Sequence, residues 1–170
     1  MKRLDRQRIA ACVPHAGAML LIDEVLDWDA AGLQARSTSH RHADNPLRDA
    51  GRLHIACGIE YAAQAMAIHA GLAGAAAGLP APRAGMLVGL RDLHLLAACL
   101  DEDAAPLRIA VRRSLGDSQL AVYEFTVAAA QRELLRGSAT VILDANPPGA
   151  APAAGAGAAR TPPSSGNASS

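Results

Sequence analysis

The chain has 170 residues, 51% of them hydrophobic, and a formal net charge of +0, which is enough apolar mass to fill one core and too little for two. Balanced charge lacks the basic excess that attraction to a phosphate backbone requires, so nucleic acid is not expected as a partner. Cys12, Cys57 and Cys99 are odd in number and lack C-x-x-C spacing, so they are read as free thiols of a reducing cytoplasm, with no metal and no cofactor expected.

The opening Met1-Lys2-Arg3-Leu4-Asp5-Arg6 leads into no uninterrupted apolar run, and no secretion signal is expected. Leu4 to Ala11 suits a short helix beginning near Asp5 and ending before Val13-Pro14, because the residue before a proline disfavours helix. Met19 to Trp28 reads as a strand, Asp29-Ala30-Ala31-Gly32 as a turn, and Leu33 to His40 as a returning strand with Leu33, Ala35 and Ser37 on one face. These two strands predict a hairpin.

Arg41 to Arg52 is polar and broken by Pro46 and Gly51, hence a loop. The apolar segment that follows, through Leu79, approaches the length of a membrane span, but Glu60, Gln64, His69 and four glycines, three of them in its second half, make it a buried helix instead. Met86 to Leu96, Leu107 to Ser114, Leu120 to Ala129 and Leu134 to Leu143 then read as strands of an antiparallel meander. Beyond them the composition is dominated by Pro, Ala, Gly and Ser, which cannot bury enough surface to offset ordering; the expected division is a domain over 1–144 and a disordered tail over 145–170.

A helix apolar nearly all round must be covered on most sides, and a curved antiparallel sheet wrapped around it, an α+β arrangement, does this with one chain. Its open sheet edges favour pairing with a second subunit, identical or related.

Within the helix Glu60 is the one charge between Leu53 and Leu79, and a carboxylate among small and apolar neighbours is costly unless it is paired or used. Gln64, at i+4, shares its face. His69 is nine residues on, which at about 100° per residue places it on the opposite face. His40 and His42 lie where the second strand runs into the loop, a position from which a side chain can reach a site held by rigid elements. No Gly-x-Ser-x-Gly elbow and no phosphate-binding glycine loop is present.

Val13-Pro14-His15, followed by Met19-Leu20-Leu21-Ile22-Asp23-Glu24-Val25, resembles the Leu-Pro-His-Arg-x-x-x-Leu-Leu-Val-Asp-Arg-Val opening of the hot-dog-fold 3-hydroxyacyl-acyl carrier protein dehydratases. Ile59-Glu60-Tyr61-Ala62-Ala63-Gln64 is similar to their helix signature, Ile-Glu-Ala-x-Ala-Gln. Asn45-Pro46-Leu47 and Gly58-Ile59-Glu60-Tyr61-Ala62-Ala63-Gln64 match the divergent branch associated with aryl polyene and polyketide-like lipid pathways. The loop histidine of the standard enzymes stands four positions before the asparagine equivalent; here His40 stands five before Asn45 and His42 three before.

The resemblance implies dehydration of a 3-hydroxyacyl thioester on acyl carrier protein to the trans-2-enoyl thioester. A histidine, His40 first and His42 second, would take the C2 proton, and Glu60 of the partner subunit would protonate the leaving hydroxyl. Gln64, Asn45 and Gly58 would border the substrate, with amides at the helix start holding the thioester oxygen. Homodimer and heterodimer both stay open. So do a weakly active subunit supporting a dehydratase partner and a hot-dog thioesterase; an enoyl-CoA hydratase fits less well, because Arg48 stands where that branch has histidine.

Overall fold

The computed structural model describes residues 2–13, 17–78, 85–117 and 119–143; His15 and the expected tail lie outside the described residues. A two-residue strand β1 (Leu4–Asp5) runs directly into helix α1 (Arg6–Ala10), where the Asp5 side chain accepts the Arg8 amide at 3.0 Å. So short a helix needs such a cap and a core anchor, which fully buried Ile9 supplies.

The strand expected from Met19 is shorter than its sequence suggests. Gly17–Met19 is a 3-10 turn and pairing begins only at β2 (Glu24–Trp28). Leu20, Leu21 and Ile22 are all buried, and a strand whose side chains alternate faces cannot turn three successive residues to one core. β3 (Gly32–Ser37) does alternate, with Leu33, Ala35 and Ser37 buried and Gln34 and Arg36 exposed, and it closes the hairpin with β2. It stops short of His40 because Asp23 accepts both the amide and the hydroxyl of Thr38, at 2.7 and 2.8 Å, leading the chain into a 3-10 turn at Ser39–Arg41.

A further 3-10 turn, Ile55–Cys57, opens onto the long helix α2 (Gly58–Ala76). No described helix is long and apolar enough to cross a membrane. Strands β4 (Met86–Leu95), β5 (Leu107–Gly116), β6 (Leu120–Ala129) and β7 (Arg132–Ile142) complete a seven-stranded antiparallel sheet in the order β1-β2-β3-β5-β6-β7-β4. The four late strands are therefore not one simple meander: β5, β6 and β7 are, while β4 pairs with β7 at the far edge. The crossing segment from β4 to β5 is held at the start of α2, where the Ile55 amide donates to the Ala98 carbonyl at 3.0 Å and the Leu100 amide to the Leu53 carbonyl at 2.8 Å.

Tyr61, Ala62, Ala65, Met66 and Ile68 of α2 share one core with Leu33, Ile109, Val111, Tyr123, Phe125 and Val127 of the sheet. The sheet wraps a single long helix, as the apolar pattern of that helix requires.

Candidate active site

Glu60 lies half-buried in the first turn of α2. One turn on, Gln64 Nε2 donates to Glu60 Oε1 at 3.1 Å and to the Met19 carbonyl at 2.8 Å, while its Oε1 accepts the Leu21 amide at 2.9 Å. Both amide hydrogens of Gln64 are thus committed, and two of its three partners are main-chain groups of the segment that leads into β2. The carboxylate is aimed by a side chain that cannot itself swing.

The same Leu21 peptide continues the network. Its carbonyl accepts the Ser37 and Ser39 hydroxyls at 2.5 and 2.9 Å. With the Ser39 hydrogen spent there, the Tyr61 hydroxyl donates to Ser39 Oγ at 2.8 Å and in turn accepts from Asn45 Nδ2 at 3.0 Å. Asn45 also donates to the Ser39 carbonyl at 2.9 Å, and its Oδ1 accepts the Leu47 amide at 3.0 Å. Burial raises the Tyr61 phenol above its ordinary pKa, against the lowering effect of its bonds to Ser39 and Asn45, so it stays a neutral donor. A run of polar groups buried among apolar ones and satisfied along its length fixes the Ser39–Asn45 segment against α2.

His40 sits on that segment with its ring fully buried. Its Nε2 lies 3.2 Å from the Asp103 carbonyl, and its Nδ1 is buried with no hydrogen-bond partner. A carbonyl only accepts, so Nε2 carries the proton and Nδ1 holds a free lone pair. Burial lowers the pKa of the ring, opposed by the Asp103 carbonyl, with Arg41 adding to the lowering. His42 is exposed and borders a cleft of about 210 Å³ with Ser39, Asp44 and Asn45.

Gly58 contributes close packing. A Cβ there would overlap the buried Leu135 side chain, and its amide turns back to the Ile55 carbonyl as the cap of the preceding turn. His69 is on the far side of α2, where the Asp29 carbonyl accepts its Nε2–H at 3.0 Å and its Nδ1 accepts the Tyr123 hydroxyl at 2.8 Å. A larger cleft of about 660 Å³, bordered by Asp92, Arg112, Glu124 and Arg136, includes neither Glu60 nor His40. Among the described residues no group of three or more His, Cys, Asp or Glu is placed to hold a metal ion.

Ser39, Asp101 and Asp103 take part in this network with nothing in the sequence to mark them, and Arg48 stood out only as the residue in place of another branch's histidine. Tyr61 lay in the helix motif, and Ser37 carried a signal as a hydroxyl on the face of β3 that Leu33 and Ala35 mark as inward.

A seven-stranded antiparallel sheet wrapped about one helix, with an oriented carboxylate in the helix's first turn, defines the hot-dog class. The profile of the ApeP-like family, described as ApeP dehydratase, matches residues 7–149, and the chain belongs to that family of dehydratases. No curated protein matches the sequence. Among solved structures, the dehydratase heterocomplex ApeI:P from Xenorhabdus doucetiae is 20% identical with a TM-score of 0.72, over 79% of this chain and 90% of that one. A mutant thioesterase from Pseudomonas aeruginosa is 12% identical with a TM-score of 0.58, over 82% of this chain and 94% of that one. AziG from S. sahachiroi is 13% identical with a TM-score of 0.52, over 70% of this chain and 88% of that one.

Proposed function

We propose that the chain dehydrates a 3-hydroxyacyl thioester carried on acyl carrier protein, in an aryl polyene type of pathway, with His40 as base and Glu60 as acid. The observation that carries this reading is the His40 imidazole itself. The Asp103 carbonyl accepts a hydrogen bond from Nε2–H and so leaves Nδ1 with its lone pair, buried and without a hydrogen-bond partner, which is the protonation state a general base must hold before it acts. His40 would remove the C2 proton, the C2=C3 double bond would form, and the helix carboxyl facing it from the second subunit, Glu60 or its counterpart there, would give its proton to the departing C3 hydroxyl, which leaves as water. Return of the imidazolium proton to the carboxylate resets the pair.

The family profile supports the reaction class. The heterocomplex among the structural matches supports a second hot-dog dehydratase subunit as partner. β4 suits that contact: among the described residues it pairs with β7 on one side only, and Val88 and Leu95 stay 46% and 44% exposed on it.

One observation favours a second reading, in which this subunit supports an active partner. The His40 ring is sealed, at 0% exposure. Incubating the chain, alone and with a hot-dog dehydratase partner, with 3-hydroxyacyl-carrier protein separates the two. Loss of the enoyl product in both His40→Ala and Glu60→Gln is expected; full turnover in either variant would transfer the catalytic role to the partner.

A further inference from the structure

Two loops meet at His40, joined by a largely buried ion pair, with the exposed Arg52 beside it pairing with Asp101 and Glu102 at 3.8 and 2.9 Å. Arg48 Nη1 donates to Asp101 Oδ2 at 2.8 Å, with side chains only 14% and 13% exposed. The rest of the Arg48 guanidinium is spent on main-chain carbonyls: Nη2 donates to His40 O, Nε to His42 O and Nη1 also to Gly51 O, each at 2.8 Å. Two residues beyond Asp101 is Asp103, whose carbonyl accepts from the His40 ring at 3.2 Å.

We infer that the Arg48–Asp101 ion pair positions the His40 imidazole, tying the turn that carries the residue to the loop whose carbonyl orients its ring. This rests on reading His40 as the base. The backbone at His40 sets where the ring stands, and Asp103 sets which nitrogen is free. Those two constraints come from segments more than fifty residues apart in sequence, and Arg48 is the side chain that touches the first while gripping the second. The fork geometry matters, because a planar guanidinium can serve several fixed acceptors at once, whereas a lysine ammonium is a single point charge on a flexible stem. Asp103 is restrained further, with Oδ1 accepting the Ala105 amide at 3.3 Å and Oδ2 lying 3.3 Å from Arg132. The loop on which Arg48 pulls is therefore itself stiff. Neither Arg48 nor Asp101 is assigned any contact with substrate; both act through His40.

The test uses the full chain assembled with its dehydratase partner and supplied with 3-hydroxyacyl-carrier protein. Arg48→Lys, Arg48→Ala and Asp101→Asn are compared with His40→Ala. A misplacement of the base by an ångström lowers kcat by roughly 10- to 100-fold while KM stays within about twofold, and that split is expected for Arg48→Lys and Asp101→Asn. Millimolar guanidinium should restore part of kcat to Arg48→Ala and none to His40→Ala. If Arg48→Lys and Asp101→Asn melt at lower temperature but keep wild-type kcat, the pair only holds the fold and the inference is overturned. Should Arg48→Ala fail to fold, Asp101→Asn decides alone by the same split. Full activity in His40→Ala would instead remove the base assignment, a failure separate from that of the clamp.

Discussion

Gln64 and Glu60 stand one helical turn apart on α2, joined at 3.1 Å by an amide hydrogen whose companion is bound to the Met19 carbonyl. The residue that aims the acid is thus anchored to the segment before β2, so a change at Gln64 acts on both fold and site. Gln64→Leu keeps the volume but leaves the buried Leu21 amide without its acceptor, at a cost of roughly 1–3 kcal/mol. Urea denaturation should show the loss as a lower midpoint with an unchanged slope, and kcat should fall with it. A wild-type midpoint would mean that water or another group replaces the amide.

Tyr61→Phe probes the same network from its other end. The substitution strands one hydrogen of Asn45 and removes the donor to Ser39, both buried, so a loss of about 1–3 kcal/mol is expected. Asn45 retains its bonds to the Ser39 carbonyl and the Leu47 amide, so the loop should stay folded. Crystallography of the variant checks that point, and calorimetry checks the energy.

Such networks mark where sequence reading runs out. The helix follows from an apolar run and the late strands from apolar stretches between turn residues, within a few residues of their observed bounds, because composition along one element is a local signal, whereas the first hairpin strand begins five residues later than its sequence suggests. The Glu60–Gln64 pair was legible for the same reason, both residues lying on one helix. Arg48 and Asp101 were not, since each is an ordinary loop charge until the chain path brings positions 48 and 101 together. The place of β4 was hidden likewise: its sequence reports a strand but not that its partner is β7 rather than β5. His40 and His42 looked equivalent by spacing, and only the 3-10 turn at Ser39–Arg41 buries one and exposes the other.

Two buried histidines predict an acid-sensitive fold. Burial lowers the pKa of both His40 and His69, while each titrates near 6.5 in the unfolded chain. Between the folded and unfolded values the unfolded state binds more protons. Stability is therefore fully present above about pH 6.5 and is lost as pH falls from there toward the folded pKa values. Unfolding free energy measured from pH 8 to pH 5 should decline below about 6.5, with a shallower slope in His69→Gln. The same depression keeps the His40 ring neutral, so the acid limb of kcat should lie below about 6.5, with Arg41 lowering it further and the Asp103 carbonyl and carboxylate opposing.

The exposed edge of the sheet predicts how the subunits meet. Among the described residues β4 presents an unpaired backbone edge together with Val88, Leu90, Leu93 and Leu95, all large and apolar and all exposed. The strand also carries Arg91, Asp92 and His94, but a long edge this rich in large apolar residues is rarely left uncovered. Placing charge there by Val88→Lys with Leu95→Lys should leave the core untouched, since neither side chain is buried in it. Thermal unfolding of the isolated chain should then move little, while size-exclusion chromatography with light scattering should show that assembly with the dehydratase partner is lost. Unchanged assembly would place the contact on another face, such as the outer sheet surface around Leu115 and Leu120, which is also exposed.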